Sequence, residues 1–403
     1  MRQDYSLRDC RLQKNNGGAV TQSVYIVAVE NSADHIGAEL TQHIGAKAAN
    51  VTVMGIGGTA MAAQGIKSAI DISGLAILGF VEGLKSYPMI LDRVRAVVEN
   101  VMSNNPDAVI LIDSWGFMIR VAKGLKKAGY KGKVIKYLAP QVWAMREGRS
   151  KILAQHVDHL LTIHSFDAPY FEKHGLPVSY VGNPMFDTDY TQGDRETLRR
   201  ELGFEPEDEV VSVFFGSRLS EIQQLAKPFA DAVDILKTQR PRLKLISPVS
   251  DSIATDVNAA AGEDLRLQEV ILLPEARKFD VFAASDVSLA CSGTVTTQLA
   301  CAGVPSIVAY RLNRLTYVAA KHLYKPDYIS IVNIAAKAEL MPEFIQGEVT
   351  GEKLAAAVTR YLEDTAYREE TSKKLQIQTS LMQGKGGSAS ERAALKILDL
   401  ICD

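Results

Sequence analysis

Short apolar runs alternate with segments of helical period along almost the entire chain, and this alternation limits the fold more than any other feature. Val24–Val29, Val51–Gly55, Ala108–Asp113, Val134–Leu138, Leu160–Ile163 and Val178–Val181 read as strands. Ala33–Gly45, Leu91–Asn104, Ile119–Ala128, Arg146–His156 and Phe166–His174 fall between them and read as helices. The second half repeats the theme, with strands expected at Val210–Phe214, Lys244–Pro248, Val270–Leu272, Val287–Ala290 and Ser306–Ala309. Arg368–Leu381 and Ala389–Ile401 read as closing helices on either side of the glycine-rich Gly384–Gly387. Such alternation predicts parallel sheets wrapped in helices, an α/β fold. At 403 residues the chain is long for one core and comfortable for two. Gly182-Asn183-Pro184 and the polar run after it read as a linker. The expected organisation is an N-terminal extension over 1–22, a doubly wound domain over 23–185, a second over 186–366, and C-terminal helices over 367–403. Those helices pack back on the first domain or exchange in a dimer.

Composition narrows the class. Net charge is −2, so nothing advertises nucleic acid. Cys10, Cys291, Cys301 and Cys402 show no C-x-x-C spacing, and the scattered histidines offer no coherent ligand set, so no metal site is expected. The reading is of reduced thiols in a cytoplasmic protein. The first residues are polar and mixed, without the apolar core of a signal peptide, and no apolar stretch is long enough to span a bilayer. Ile72–Val81, continued to Leu91, is apolar; it fits a buried helix or a patch resting on a bilayer surface.

Two strand-to-helix junctions carry phosphate chemistry. Phe215-Gly216-Ser217-Arg218 links the strand Val210–Phe214 to the helix Glu221–Lys237. Ser292-Gly293-Thr294 links Val287–Ala290 to the helix Val295–Ala302. Free N–H groups at a helix N-terminus bind phosphate oxygens, and an arginine adds a two-pronged clamp. Two such loops suggest a nucleotide diphosphate at the carboxyl ends of parallel strands. Neither is a P-loop, since no G-x-x-x-x-G-K-[ST] occurs. Val53-Met54-Gly55-Ile56-Gly57-Gly58 lacks G-x-G-x-x-G spacing and reads as a tight turn after a strand. Asp113 closes an apolar strand, where it either caps the next turn or faces the site as a general base.

Two doubly wound, Rossmann-like domains facing across a cleft describe the GT-B type of glycosyltransferase. From about Val24 onward the chain resembles one such family, lipid-A-disaccharide synthase. The segments that carry the resemblance are Gly55-Ile56-Gly57-Gly58-Thr59-Ala60-Met61, Leu75–Glu82, Ile112-Asp113, Ala139-Pro140-Gln141-Val142-Trp143-Ala144-Met145-Arg146, Gly216-Ser217-Arg218 with Glu221, Ser292-Gly293-Thr294, Tyr310-Arg311, and Tyr328-Ile329-Ser330 through Asn333 to Gln346. The resemblance implies an inverting, metal-independent transferase without a cofactor. It joins UDP-2,3-diacylglucosamine to 2,3-diacylglucosamine 1-phosphate (lipid X) and releases UDP. By that resemblance Asp113 is the base, with Arg218 beside it among the catalytic residues. Gly216, Ser217, Arg218, Glu221, Ser292, Gly293, Thr294, Gln298, Arg311, Asn333 and Gln346 take the UDP-sugar. Glu30, Ser32 and Asp34 match the family's opening loop on the acceptor side. Ile72–Ile90 matches its membrane-docking region. The resemblance also implies a peripheral protein on the cytoplasmic face of the inner membrane, and a possible homodimer.

The chain departs from the family pattern at several points. Val29-Glu30-Asn31-Ser32-Ala33-Asp34 stands where G-E-x-S-G-D is usual, and Ile112-Asp113-Ser114-Trp115-Gly116-Phe117 where I-D-x-P-D-F is. Asn183 replaces the histidine of Gly-His-Pro, and Phe215 the proline of Pro-Gly-Ser-Arg. Gln298 stands in place of the glutamate that accepts both ribose hydroxyls; an amide carbonyl still accepts a bond. Base, arginine and phosphate loop all remain, which favours an active enzyme or a paralogue with another acyl-sugar. The competing readings are a UDP-N-acetylglucosamine epimerase and a non-catalytic binder of lipid or nucleotide sugar.

Overall fold

The computed structural model describes residues 22–72, 87–313, 317 and 324–402. The chain passes between two compact units at Asp187–Thr188 and crosses back at Met382–Gln383.

In the first unit the strands are β1 (Gln22–Val27), β2 (Val51–Ile56), β3 (Ala108–Ile112), β4 (Lys133–Tyr137), β5 (His159–Thr162) and β6 (Val178–Tyr180). The helices are α1 (Asn31–Lys47), α2 (Thr59–Ala63), α3 (Tyr87–Asn104), α4 (Trp115–Ala128), α5 (Gly148–Ala154) and α6 (Ala168–Glu172). The strands form one parallel sheet in the order β2-β1-β3-β4-β5-β6. All five residues of β3 are buried because helices cover both of its faces. Val109 and Leu111 pack with Val97 and Val101 of α3 and Met118 and Val121 of α4. Ala108, Ile110 and Ile112 pack on the opposite face, with Leu40 and Ile44 of α1.

The second unit holds β7 (Val210–Phe214), β8 (Lys244–Val249), β9 (Val270–Pro274), β10 (Val287–Cys291), β11 (Ser306–Tyr310) and β12 (Glu343–Ile345). Its helices are α7 (Arg195–Glu201), α8 (Leu219–Gln239), α9 (Asp251–Glu263), α10 (Lys278–Ala284), α11 (Thr294–Cys301), α12 (Ile331–Ala336), α13 (Gly351–Glu363) and α14 (Thr365–Gln383). This sheet is also parallel, in the order β12-β11-β10-β7-β8-β9. The apolar stripe of α8, Ile222, Leu225, Phe229, Val233 and Leu236, packs on Val211 and Val213 of β7 together with Leu354 and Val358 of α13.

Strand order locates the functional ends. In an open parallel sheet, ligands bind beyond the carboxyl ends of the two strands where the winding direction reverses, because the loops leave to opposite sides there. That point lies between β1 and β3 in the first unit and between β7 and β10 in the second. The loops that follow are those of Glu30, Asp113, Phe215–Arg218 and Ser292–Thr294.

The C-terminal segment behaves differently from expectation. The sequence reading takes 367–403 as helices that pack together on the first domain or exchange in a dimer. Instead α14 stays with the second unit, its Leu375 buried among Ala300, Val308, Val332 and Met341. Only the last helix, α15 (Ala389–Cys402), joins the first unit, where Ala393, Ala394, Ile397 and Leu398 complete the core beside α1. Arg392, 2% exposed, fastens that return by donating to the carbonyls of Val181 at 2.7 Å and Gln383 at 2.6 Å. The apolar stripe of α15 is dense enough to need a core, whereas much of α14 is polar and leaves Ile377 and Leu381 exposed.

Candidate functional site

The turn that follows β3 is unusual in its backbone. Asp113 (φ 50°) and Ser114 (φ 38°) are consecutive non-glycine residues in the left-handed region. Each such residue costs on the order of 1–2 kcal/mol, so surrounding bonds must hold them. The Asp113 amide donates to the Tyr137 carbonyl at 3.0 Å. The Ser114 hydroxyl, freed from capping α4, donates to the Glu30 carboxylate instead. Beside them is Lys136 of β4, 1% exposed, whose ammonium donates to the same Tyr137 carbonyl at 2.8 Å. Burial pulls Lys136 down to about 7, against the upward pull of Asp113 and Glu30. Asp113, Glu30 and Lys136 therefore form one charge cluster at the first switch point. Lys136 is absent from the sequence-derived set of site residues; a lysine inside the buried run Val134–Tyr137 is the signal that marks it.

Asp34 has a different task from the expected acceptor contact. It is 2% exposed, and its carboxylate accepts the amides of Gly58 at 2.7 Å, Ala60 at 2.8 Å and Met61 at 3.1 Å. It thus fills the N-terminus of α2 from within the protein. A Cβ at Gly58 would stand 2.8 Å from its Oδ2, which explains the glycine there. Ser32 is exposed in the first turn of α1. Trp143 is buried, edge-on to Phe166 at 5.4 Å, and is a packing residue. Trp115 is only partly buried, with the Arg149 guanidinium 5.3 Å above its ring.

In the second unit β7 and β10 are neighbours, so their two loops meet. A Cβ on Gly216 would come within 3.3 Å of Cys291 Sγ. Gly216 has φ 112° and the loop turns sharply there. Glu221, in the first turn of α8, accepts the Ser217 amide at 2.9 Å and the Arg218 guanidinium at 3.1 Å. Its carboxylate therefore shapes the loop as a capping group and aims Arg218, which is 75% exposed. The Ser217 amide, expected to be open to phosphate, is already bonded. Across from it the loop of Ser292, Gly293 and Thr294 has no side-chain cap at the start of α11, and the space around Gly293 is open. Burial, then the Glu221 carboxylate, pushes the Cys291 thiol up to about 12, and the same two influences raise Tyr310. Tyr310 thus belongs to this cluster although the sequence gives it no distinct role.

Gln298 lies one turn along α11 from Thr294. Arg311 follows directly from β11 and is partly exposed. Two expected contacts prove to be braces. Asn333 is wholly buried; its amide donates to Met341 O at 2.7 Å and the Glu343 carboxylate at 2.8 Å, and it accepts from Leu340 N and Met341 N. That accounts for its hydrogen-bonding capacity. The Gln346 amide, in its satisfied orientation, bonds Leu312 N at 3.1 Å and Leu312 O at 3.2 Å, and so secures the segment bearing Arg311. Of the apolar stretch Ile72–Ile90, residues 73–86, including the motif Leu75–Glu82, lie outside the described residues. Among the described residues no helix is long and apolar enough to cross a membrane.

Comparison with known proteins gives the family and the fold. The family model for lipid-A-disaccharide synthetase matches residues 24–397. The lipid-A-disaccharide synthase of Rhodospirillum centenum is 36% identical over 380 residues, covering 94% of each chain. That of Geobacter metallireducens is 36% identical over 386 residues, covering 96% of this chain and 99% of the relative. Among solved structures, a UDP-N-acetylglucosamine 2-epimerase of Listeria monocytogenes (described as putative) superposes with a TM-score of 0.60 at 12% identity, covering 89% of this chain and 94% of that one. A glycosyltransferase of Rickettsia africae superposes at 0.59 and 11%, covering 95% and 99%. These structural likenesses establish a shared GT-B fold, and the sequence relatives decide between its branches: the chain belongs to the lipid-A-disaccharide synthetase family of glycosyltransferases.

Proposed function

We propose that this chain transfers 2,3-diacylglucosamine from UDP to 2,3-diacylglucosamine 1-phosphate, with inversion and with release of UDP. The observation that carries the reading is the Asp113 turn: a carboxylate held in strained backbone at the first switch point, beside Glu30 and Lys136. The acceptor hydroxyl oxygen attacks the anomeric carbon. Its proton goes to the Asp113 carboxylate. The bond from that carbon to the diphosphate breaks, and its electron pair leaves with UDP. The developing charge on the diphosphate falls to Arg218, the Gly216 loop and the open start of α11 at Ser292–Thr294. Gln298 and Arg311 flank the nucleotide, while Asn333 and Gln346 hold the surrounding backbone.

The acceptor's phosphate is assigned to Arg149 and Arg146. Burial first, and then the charge of Arg146, pulls Arg149 below the ordinary arginine range. The intervening Glu147 is paired with Lys173, and among the described residues no carboxylate pairs with either arginine. A phosphomonoester satisfies two adjacent guanidinium groups. The working place is the cytoplasmic face of the inner membrane, reached peripherally through the region around Ile72–Ile90, with a homodimer as the assembly.

The test is a product assay with UDP-2,3-diacylglucosamine, lipid X, chelator and mild detergent, read by mass spectrometry. A tetra-acyl disaccharide phosphate with released UDP is expected. UDP binding without disaccharide overturns the reading, and conversion of UDP-N-acetylglucosamine to its 2-epimer without lipid replaces it with an epimerase.

A further inference from the structure

Lys136 is a buried ammonium with three donors, one of which meets the Tyr137 carbonyl at 2.8 Å. The Asp113 amide reaches the same oxygen at 3.0 Å. Two donors on one acceptor place the ammonium within about 6 Å of the Asp113 backbone. The side chain shares its sheet face with Val134, and the titratable groups that face it are Asp113, after β3, and Glu30, after β1. Glu30 in turn holds the Ser114 hydroxyl, so the strained pair Asp113–Ser114 is tied at both residues.

We propose that Lys136 is a positioning residue for the transfer reaction: its ammonium pins the Asp113–Ser114 turn through the Tyr137 carbonyl and stands as the countercharge to the Asp113 and Glu30 carboxylates. The inference rests on the reading of Asp113 as the base. Fixing the turn keeps the Asp113 carboxylate within reach of the acceptor hydroxyl.

This arrangement sets stability against activity. An unfolded lysine titrates near 10.5 and folded Lys136 near 7, so between those values the unfolded chain binds a proton that the folded one lacks. Stability therefore rises with pH across that window, and the penalty of the buried charge is fully present below it. An apolar side chain of similar length removes the penalty, while partly exposed Asp113 and Glu30 recover water.

The experiment compares wild type, Lys136→Met and Lys136→Arg in the disaccharide assay from about pH 5.5 to 9, with Tm measured in parallel. For Lys136→Met the expected result is a kcat about 100-fold lower, KM for both substrates within about threefold, and a Tm at or above wild type. Lys136→Arg, which keeps the charge, recovers at least about tenfold of the loss. A kcat within about threefold of wild type overturns the proposal. So does a fall in kcat that comes with a lowered Tm and is not recovered by Lys136→Arg, which marks a structural role. Should Lys136→Met not fold, Lys136→Gln is read in its place, for kcat, for both KM values and for Tm, with the same outcomes deciding. Absence of disaccharide from the wild type overturns the base reading of Asp113 instead, and is told apart by that control.

Discussion

The turn after β3 and the loop after β7 occupy equivalent places in two parallel sheets, each at the strand end where the winding reverses. They are built from different material. The first brings together two carboxylates, a buried lysine and two left-handed non-glycine residues. The second has a glycine at its tight point, an uncapped helix start opposite, and a single aimed arginine. Strained backbone and buried charge suit a group that must change protonation. Open amides and an exposed guanidinium suit a ligand that arrives already charged. On the proposed reading a common architecture separates proton chemistry from diphosphate binding, and the separation can be attacked from either side.

The largest expected effect is at the first turn. Asp113→Asn should lower kcat by roughly 10²–10⁴-fold while UDP affinity, measured by calorimetry, stays within about twofold. A matching loss of UDP affinity breaks the division of labour. Arg218→Ala should do the reverse, weakening UDP binding by about 10–100-fold, the value of a charge-assisted bond to phosphate. Arg149→Gln should raise KM for lipid X about tenfold and leave the KM for the UDP-sugar near wild type. Equal sensitivity of an acceptor lacking the phosphate removes that assignment.

Acid should also distinguish the halves. His159 and His164, both in the first unit, are held neutral by burial and lowered to about 4. Unfolded histidine titrates near 6.5, so between those values the unfolded chain binds more protons and stability falls as the pH falls. The loss is about 1–3 kcal/mol per histidine. Hydrogen exchange on going from neutral to mildly acidic buffer should open the β5 region before the second unit. Simultaneous opening sinks this prediction, and His164→Phe should reduce the difference.

Much of the fold is legible in the sequence. Strand-helix alternation specified an α/β fold because a parallel strand covered on both faces needs a short continuous apolar run, as in β3 and β7. The closing helices were legible as helices but not in their allegiance. Periodicity shows that α14 and α15 each have an apolar side; which core accepts it depends on where the other elements already lie. β12, three residues long, carries too little pattern to announce itself.

The site divides in the same way. Composition at a strand end marks Asp113, Gly216, Arg218 and Ser292–Thr294 as candidates, because local chemistry at a strand-to-helix turn is written in consecutive residues. Tertiary structure decided which polar groups remain free. Asp34, Asn333 and Gln346 spend their hydrogen bonds on groups brought to them from 24 to 27, 7 to 10 and 34 residues away. Lys136 meets Asp113 and Glu30 only because β4 lies beside β3, and β3 beside β1. Sequence by itself determined the strands, the turns and the reactive groups that end them. Only the folded sheet order determined which of those groups share a site, since hydrogen bonds and charge act through space and neighbours across a sheet are distant along the chain.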